Sequence, residues 1–251
     1  VHGYSPSLGI QSVRKAIADS LNRRFSMDYE AEHIFMASGA AGALAHGFRC
    51  VTRPGDEILV FAPYFPEYGP YITQTGAVMK VVSADTDDLQ INFKALEEQM
   101  NEKVMAVLVN TPNNPSGIAY SPKTMERLGD FLEMKQKQYG HDIFLISDEP
   151  YREIVFQGTE PVYVSKFYDN TISCYSFSKS LSLPGERIGY VAVNPRCRGA
   201  KDLAAMCGQI SRGIGHNCPP SSVQLAVARI LDKTSDLSVY ETNRDLLYDA
   251  L

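Results

Sequence analysis

The chain has 251 residues, 44% hydrophobic and 21% charged, with a formal net charge of -5 at pH 7. That suits one soluble α/β domain with a sizeable core, and the lack of a basic block argues against a nucleic-acid partner. No apolar run is long enough to span a bilayer, and no signal-peptide pattern opens the chain.

In chain order, Gly3-Tyr4-Ser5-Pro6 is a turn-rich entry. From Ser7 to Arg24 the apolar positions Val13, Ile17 and Leu21, then Phe25, recur four apart and predict an amphipathic helix. Ile34 to Ala37 reads as a short strand, and Ser38 opens a helix to about Cys50. Strands are predicted at Glu57 to Phe61 and Val78 to Val82, with the aromatic loop Tyr64-Phe65-Pro66-Glu67-Tyr68 and a short helix between them. A helix over Phe93 to Met100 has Asn92 as its cap. Val104 to Val109 is almost wholly apolar, as a strand covered on both faces requires. Ser121-Pro122 starts a long helix to about Tyr139. Strands follow at Ile143 to Ile146, Thr171 to Tyr175 and Ile188 to Val193, then helices at Arg198 to Arg212 and Pro219 to Leu231. Alternating strands and helices define an α/β fold of three layers, a mainly parallel seven-stranded sheet with helices on both faces.

The chain begins at Val1 and stops at Leu251 inside a last predicted helix. It reads as a fragment: a domain over 1–234, then over 235–251 the start of a helix leading to a further domain. The five cysteines (Cys50, Cys174, Cys197, Cys207, Cys218) show no CxxC spacing, which disfavours a disulfide framework or zinc site and fits a reducing cytoplasm. His2, His33, His46, His141 and His216 form no metal-ligand cluster and read as surface or structural histidines.

In a parallel sheet, ligands collect beyond the carboxyl ends of the strands, and the polar clusters follow strands in that way. In Ser176-Phe177-Ser178-Lys179, a lysine lies between hydroxyls just past a strand. An amine shielded from water at a strand end makes a good Schiff-base nucleophile, since desolvation favours the uncharged form. Ser176, Ser178 and the planar fork of Arg187 can hold a phosphate. Lysine for an aldehyde and arginine for a phosphate together suggest pyridoxal phosphate, the alternative being a solvated loop with a stray lysine. Ala40 and Ala41 lie at a helix N-terminus, which favours an anion, although small residues there also allow close packing. Phe65 can stack on a flat ring or fill the core. Asn114 can donate to a phenolate or serve a turn. Asp148 ends a buried strand, where a carboxylate needs a partner such as a pyridinium nitrogen; it could equally cap a helix. Tyr151 can reach a phenolic oxygen or sit at the core edge.

Three runs carry a resemblance: Pro112-Asn113-Asn114-Pro115-Ser116-Gly117, Ser147-Asp148-Glu149-Pro150-Tyr151, and Ser176-x-Ser178-Lys179 through Arg187-Ile188-Gly189-Tyr190. With these, the chain from Gly3 to about Leu231 resembles the large domain of the pyridoxal-phosphate-dependent class I/II aminotransferases. The resemblance implies that Lys179 is the Schiff-base lysine and proton shuttle, and Asp148 the pyridinium partner. Tyr151 and Asn114 would hold the phenolic oxygen, and Ala40, Ala41, Ser176, Ser178 and Arg187 the phosphate. Tyr4 would reach the cofactor of a neighbouring subunit in a homodimer. It implies amino-group transfer between an L-amino acid, aspartate or a similar donor, and a 2-oxo acid. Phe65 stands where tryptophan is common, and Ser116 where threonine is. The family's carboxylate-gripping arginine belongs to a region beyond Leu251, and Arg212 lies near where some members read a second carboxylate. Two alternatives share the fold. One is a carbon–sulfur β-lyase, whose members often carry histidine where Tyr151 stands. The other is a cofactor-binding sensor domain of a transcription regulator.

Overall fold

The computed structural model describes residues 3–84, 87–156, 158–159 and 162–251; His2 lies outside them. In chain order the elements are α1 (Gln11–Phe25), β1 (Ile34–Ala37), α2 (Gly39–Val51), β2 (Glu57–Phe61), α3 (Tyr68–Thr73) and β3 (Val78–Val82). Then come α4 (Phe93–Gln99), β4 (Val104–Asn110), α5 (Pro122–Tyr139), β5 (Phe144–Asp148), β6 (Thr171–Ser176), α6 (Phe177–Ser180) and β7 (Gly189–Val193). Helices α7 (Ala200–Gly213), α8 (Ser221–Val227) and α9 (Ser238–Ala250) complete the series.

The seven strands form one sheet in the order β1-β7-β6-β5-β4-β2-β3. Strands β2 to β6 pair in parallel, whereas β7 runs antiparallel to both β1 and β6. The reason lies in the link between β6 and β7. It contains only the single turn α6 and a short 3-10 turn at Pro184–Glu186. A parallel crossover needs a full helix to return the chain, and an antiparallel neighbour does not.

The expected three layers are present. On one face, Phe35, Val60, Leu108, Ile146, Ile172 and Val191 meet Leu44 and Phe48 of α2, Ile72 of α3, and Ala204 and Cys207 of α7. On the other face, Leu59, Val107 and Leu145 meet Leu96 of α4 and Leu128 and Leu132 of α5. There too Ile34, Met36 and Ala192 meet Val13, Ile17 and Leu21 of α1 and Val227 of α8. The period-two alternation along each strand sends successive side chains to opposite layers. Each large apolar chain buried in this way contributes about 1.5–3 kcal/mol.

Two predicted caps are observed. Asn92 Oδ1 accepts the Ala95 amide at 3.1 Å, and Ser121 Oγ accepts the Thr124 amide at 3.1 Å. Helix α1 starts at Gln11 rather than Ser7. Gly9, at φ +95°, turns the preceding segment onto β1, where the Met36 amide donates to Leu8 O at 3.0 Å. A side chain at Gly9 would collide with Met36. Helix α8 is also shorter than the periodicity implies, ending at Val227. All five cysteines are free, although Cys50 of α2 and Cys207 of α7 bring their sulfurs to 3.3 Å.

Candidate active site

The carboxyl ends of β1, β2, β4, β5 and β6 lie along one edge of the sheet, and the antiparallel β7 starts at that same edge. The loops leaving these ends enclose a cavity of about 340 Å³. Ala40, Ala41, Phe65, Asn114, Asp148, Tyr151, Ser176, Ser178, Lys179 and Arg187 all line it. Ten of the eleven residues singled out in the sequence are therefore brought together, and Tyr4 is not. Tyr4 is fully exposed and lines a separate open cavity of about 810 Å³ with Arg212 and Cys218.

One end of the cavity is built for an anion. Gly189 pairs with Ala37 on one side and Ser176 on the other, so three strand ends are held abreast. A Cβ at Gly189 would strike Tyr175 O and lie 3.0 Å from the Gly39 backbone. Glycine there lets the start of α2 close onto β7. Arg187 lies two residues before that strand and adopts a left-handed backbone (φ 50°). Its Nη1 donates to Pro184 O at 2.9 Å, while Nη2 lies 2.7 Å from the Cβ position of Gly39. The guanidinium thus sits at the N-terminus of α2, whose free N–H groups and dipole also attract negative charge. The Ser178 amide donates to Ser176 Oγ at 3.1 Å, and Ser176 Oγ donates to Ser178 Oγ at 2.7 Å. Their hydroxyls are thereby fixed at the end of β6.

The other end is acidic. Asp148 is buried, with Oδ2 accepting from Tyr68 Oη at 2.6 Å, while Oδ1 is buried without a partner. Burial pushes this carboxyl up to about 7; the Tyr68 hydrogen bond pulls it down and nearby Glu149 adds to the rise. No helix begins at Asp148, so the capping alternative is not realised. Asn110 Nδ2 donates to Asp148 O at 2.9 Å, and Asn110 Oδ1 accepts the Asn114 amide at 2.7 Å. The same residue therefore ties the Asn114 loop to the end of β5. Burial and the Asp148 charge hold the Tyr151 phenol above its ordinary value, opposed by a hydrogen bond with Asn114.

Lys179 is half-buried rather than fully shielded, because the one-turn α6 leaves it at the mouth of the cavity. Its Nζ lies 5.9 Å from the centre of the Tyr151 ring. Phe65 meets Tyr68 edge to face at 5.7 Å.

Two contributors escaped the sequence reading. Tyr68 stood in the aromatic loop without a role, yet the turn closed by its amide on Phe65 O at 3.1 Å brings the two rings edge to face. Arg152 is buried outside the cavity and donates to Glu149 Oε2, next in sequence to Asp148, at 2.8 Å and to Tyr190 Oη at 3.1 Å, with the Tyr175 ring 4.3 Å away. Glu149-x-x-Arg152 was its signal, an i,i+3 pair of opposite charge.

Residues 1–250 match the family described as aminotransferase class I and II, and the chain belongs to that family. An aminotransferase of Eubacterium rectale is 45% identical and superposes with a TM-score of 0.96, over 99% of this chain and 63% of that one. The aspartate aminotransferase of Sulfurisphaera tokodaii is 28% identical across 99% of this chain and 61% of its own length. The aspartate aminotransferase of Thermotoga maritima gives 27% identity and a TM-score of 0.84, over 95% of this chain and 60% of that one. The chain thus spans about three fifths of the length of these relatives. The family is pyridoxal-phosphate dependent, and the cavity fits that cofactor. Asp148 keeps a buried unpaired oxygen, as a pyridinium partner would, and Arg187 meets a helix N-terminus where a phosphate would lie. Among the described residues no helix is long and apolar enough to cross a membrane, and no group of three or more His, Cys, Asp or Glu could hold a metal.

Proposed function

We propose that the intact protein moves an amino group between an L-amino acid and a 2-oxo acid, with Lys179, Asp148 and Tyr151 as the catalytic residues. The observation that carries this reading is the buried, unpartnered Oδ1 of Asp148 in the same cavity as Lys179. Pyridoxal phosphate supplies an aldehyde that exchanges amines and a protonated ring that accepts an electron pair. Arg187, Ser176, Ser178 and the amides around Ala40 and Ala41 would hold its phosphate, and Phe65 would cover a ring face. Asn114 and Tyr151 would donate to the phenolic oxygen.

The chain's own groups divide the work by position. Lys179 would present the amine that takes the aldehyde and, when displaced by the donor, would accept and return the donor's α-proton. Asp148 would keep its charge against the ring nitrogen, because a cation at Oδ1 would offset the desolvation that pushes the carboxyl up. Tyr68 occupies Oδ2, so Oδ1 is the oxygen that would face that nitrogen.

Tyr4 is proposed to serve the neighbouring site of a homodimer, since it is fully exposed and remote from the cavity of its own chain. A cytoplasmic setting is proposed from the five free cysteines. The test is the intact protein with amino donors and 2-oxo acids. A new 2-oxo acid and a new amino acid in equal amounts support the reading. Pyruvate with ammonia from cysteine conjugates would support the lyase, and cofactor binding without turnover the sensor.

A further inference from the structure

We propose that Cys50 and Cys207 form a reversible disulfide when the protein meets a peroxide, bracing α2 against α7. The inference stands apart from the aminotransferase reading, which uses neither sulfur. Cys50 lies in the last turn of α2 and Cys207 in the middle of α7. Their sulfurs are 3.3 Å apart, although the residues are separated by 157 positions in the chain. Cys50 Sγ also donates to Leu203 O at 3.7 Å, one turn before Cys207. The Cys50 side chain is thus seated against α7 between those two residues. A disulfide bond is about 2 Å long, so the sulfurs need move only a little further together.

Access decides which sulfur reacts first. Cys50 is half-buried, whereas Cys207 is 1% exposed. The hydrogen bond with Cys50, and then burial, push the Cys207 thiol well up, so it stays protonated in the neutral range. Cys50 therefore meets the oxidant. Its thiolate attacks hydrogen peroxide, the O–O bond breaks, and one oxygen stays on sulfur as a sulfenic acid. The other oxygen leaves and takes up a proton as water. The Cys207 sulfur then bonds to the Cys50 sulfur. The S–O bond breaks, and the departing hydroxide takes the Cys207 proton as a second water. Each sulfur gives up one electron, and one peroxide is reduced. Cys174, the other sulfur near this pair, is fully buried under Gly47 of α2. Cys197 turns its sulfur to Arg198 O at 3.7 Å, and Cys218 lines the open cavity with Tyr4. In the reducing setting proposed for this chain, the two thiols are the resting form, and the bond forms only when oxidant rises.

The test treats the intact protein with submillimolar hydrogen peroxide, blocks the remaining thiols with iodoacetamide, and maps the unreduced peptides by mass. The expected product is a single linked pair of peptides, carrying Cys50 and Cys207, that dithiothreitol separates. Closing so long a loop restricts the unfolded chain, so the oxidised protein should show a urea midpoint raised by about 1 M. Cys50→Ser and Cys207→Ser should each abolish the linked pair, and peroxide should leave their midpoints unchanged. Cys50→Ser alters a half-buried position, so the comparison stands even where Cys207→Ser fails to fold. Sulfinic acid on Cys50 beside an intact Cys207 thiol, a link through any other cysteine, or a midpoint that peroxide does not raise overturns the proposal.

Discussion

Tyr68 Oη donates to Asp148 Oδ2 at 2.6 Å, which leaves Oδ1 as the buried oxygen free to face a cation. The bond also opposes the burial that pushes Asp148 up to about 7. Tyr68→Phe should therefore raise Asp148 further and weaken pyridoxal phosphate binding by about tenfold or more near pH 7, the cost of one charge-assisted hydrogen bond. The deficit should narrow as pH rises towards 9 and both proteins become ionised. Cofactor titration followed by absorbance across that range checks it.

The raised Asp148 also makes the cofactor-free protein pH-sensitive. Its folded value, about 7, lies above its ordinary value of 3.8. The stabilisation from its protonated form is therefore complete below about pH 4 and is lost as pH rises through 7. A shift of that size corresponds to up to about 4 kcal/mol. Without cofactor, Asp148→Asn should lose less Tm than wild type between pH 5 and pH 8. Glu149, also pushed up by burial, acts alike in both proteins.

The two glycines at the anion end should respond differently to alanine. At Gly39 the added methyl meets the flexible tip of Arg187 at 2.7 Å, although φ +70° adds strain. Gly39→Ala should fold and weaken cofactor binding by about tenfold or more, as the guanidinium is displaced from the helix end. At Gly189 the methyl meets backbone of Tyr175 and Gly39. Gly189→Ala should cost about 2 kcal/mol or more of stability, since backbone atoms must move. Urea denaturation and cofactor titration of both variants separate the two effects.

Arg152 and Glu149 form a buried pair, 3% and 2% exposed. Removing one partner leaves an uncompensated buried charge, so Arg152→Met should destabilise by about 3–5 kcal/mol. Adding Glu149→Gln should recover part of that loss, because the orphaned charge is gone. Urea midpoints of the two single variants and the double check the coupling.

Most of this architecture could be read from local pattern. Apolar runs such as Val104 to Val109 announced buried strands, and Asn92 and Ser121 announced helix starts, because these signals act within a few residues. The reversed direction of β7 was not read, since alternation of strand and helix does not record how short the link after β6 is. The site loops were legible because each follows a strand carrying chemically distinctive side chains. Tyr68 was not, because its meaning depends on Asp148, 80 positions away. The half-exposure of Lys179 was missed because it follows from α6 lasting a single turn, which apolar periodicity does not record.

The central claim, that Lys179 is the amine that takes the cofactor, is tested most directly by borohydride reduction. The intact protein would be incubated with pyridoxal phosphate, reduced and mapped by peptide mass. The account predicts one phosphopyridoxyl adduct, on the peptide containing Lys179, and none in Lys179→Ala. Adducts scattered over other lysines, or an adduct of equal yield in Lys179→Ala, would contradict it.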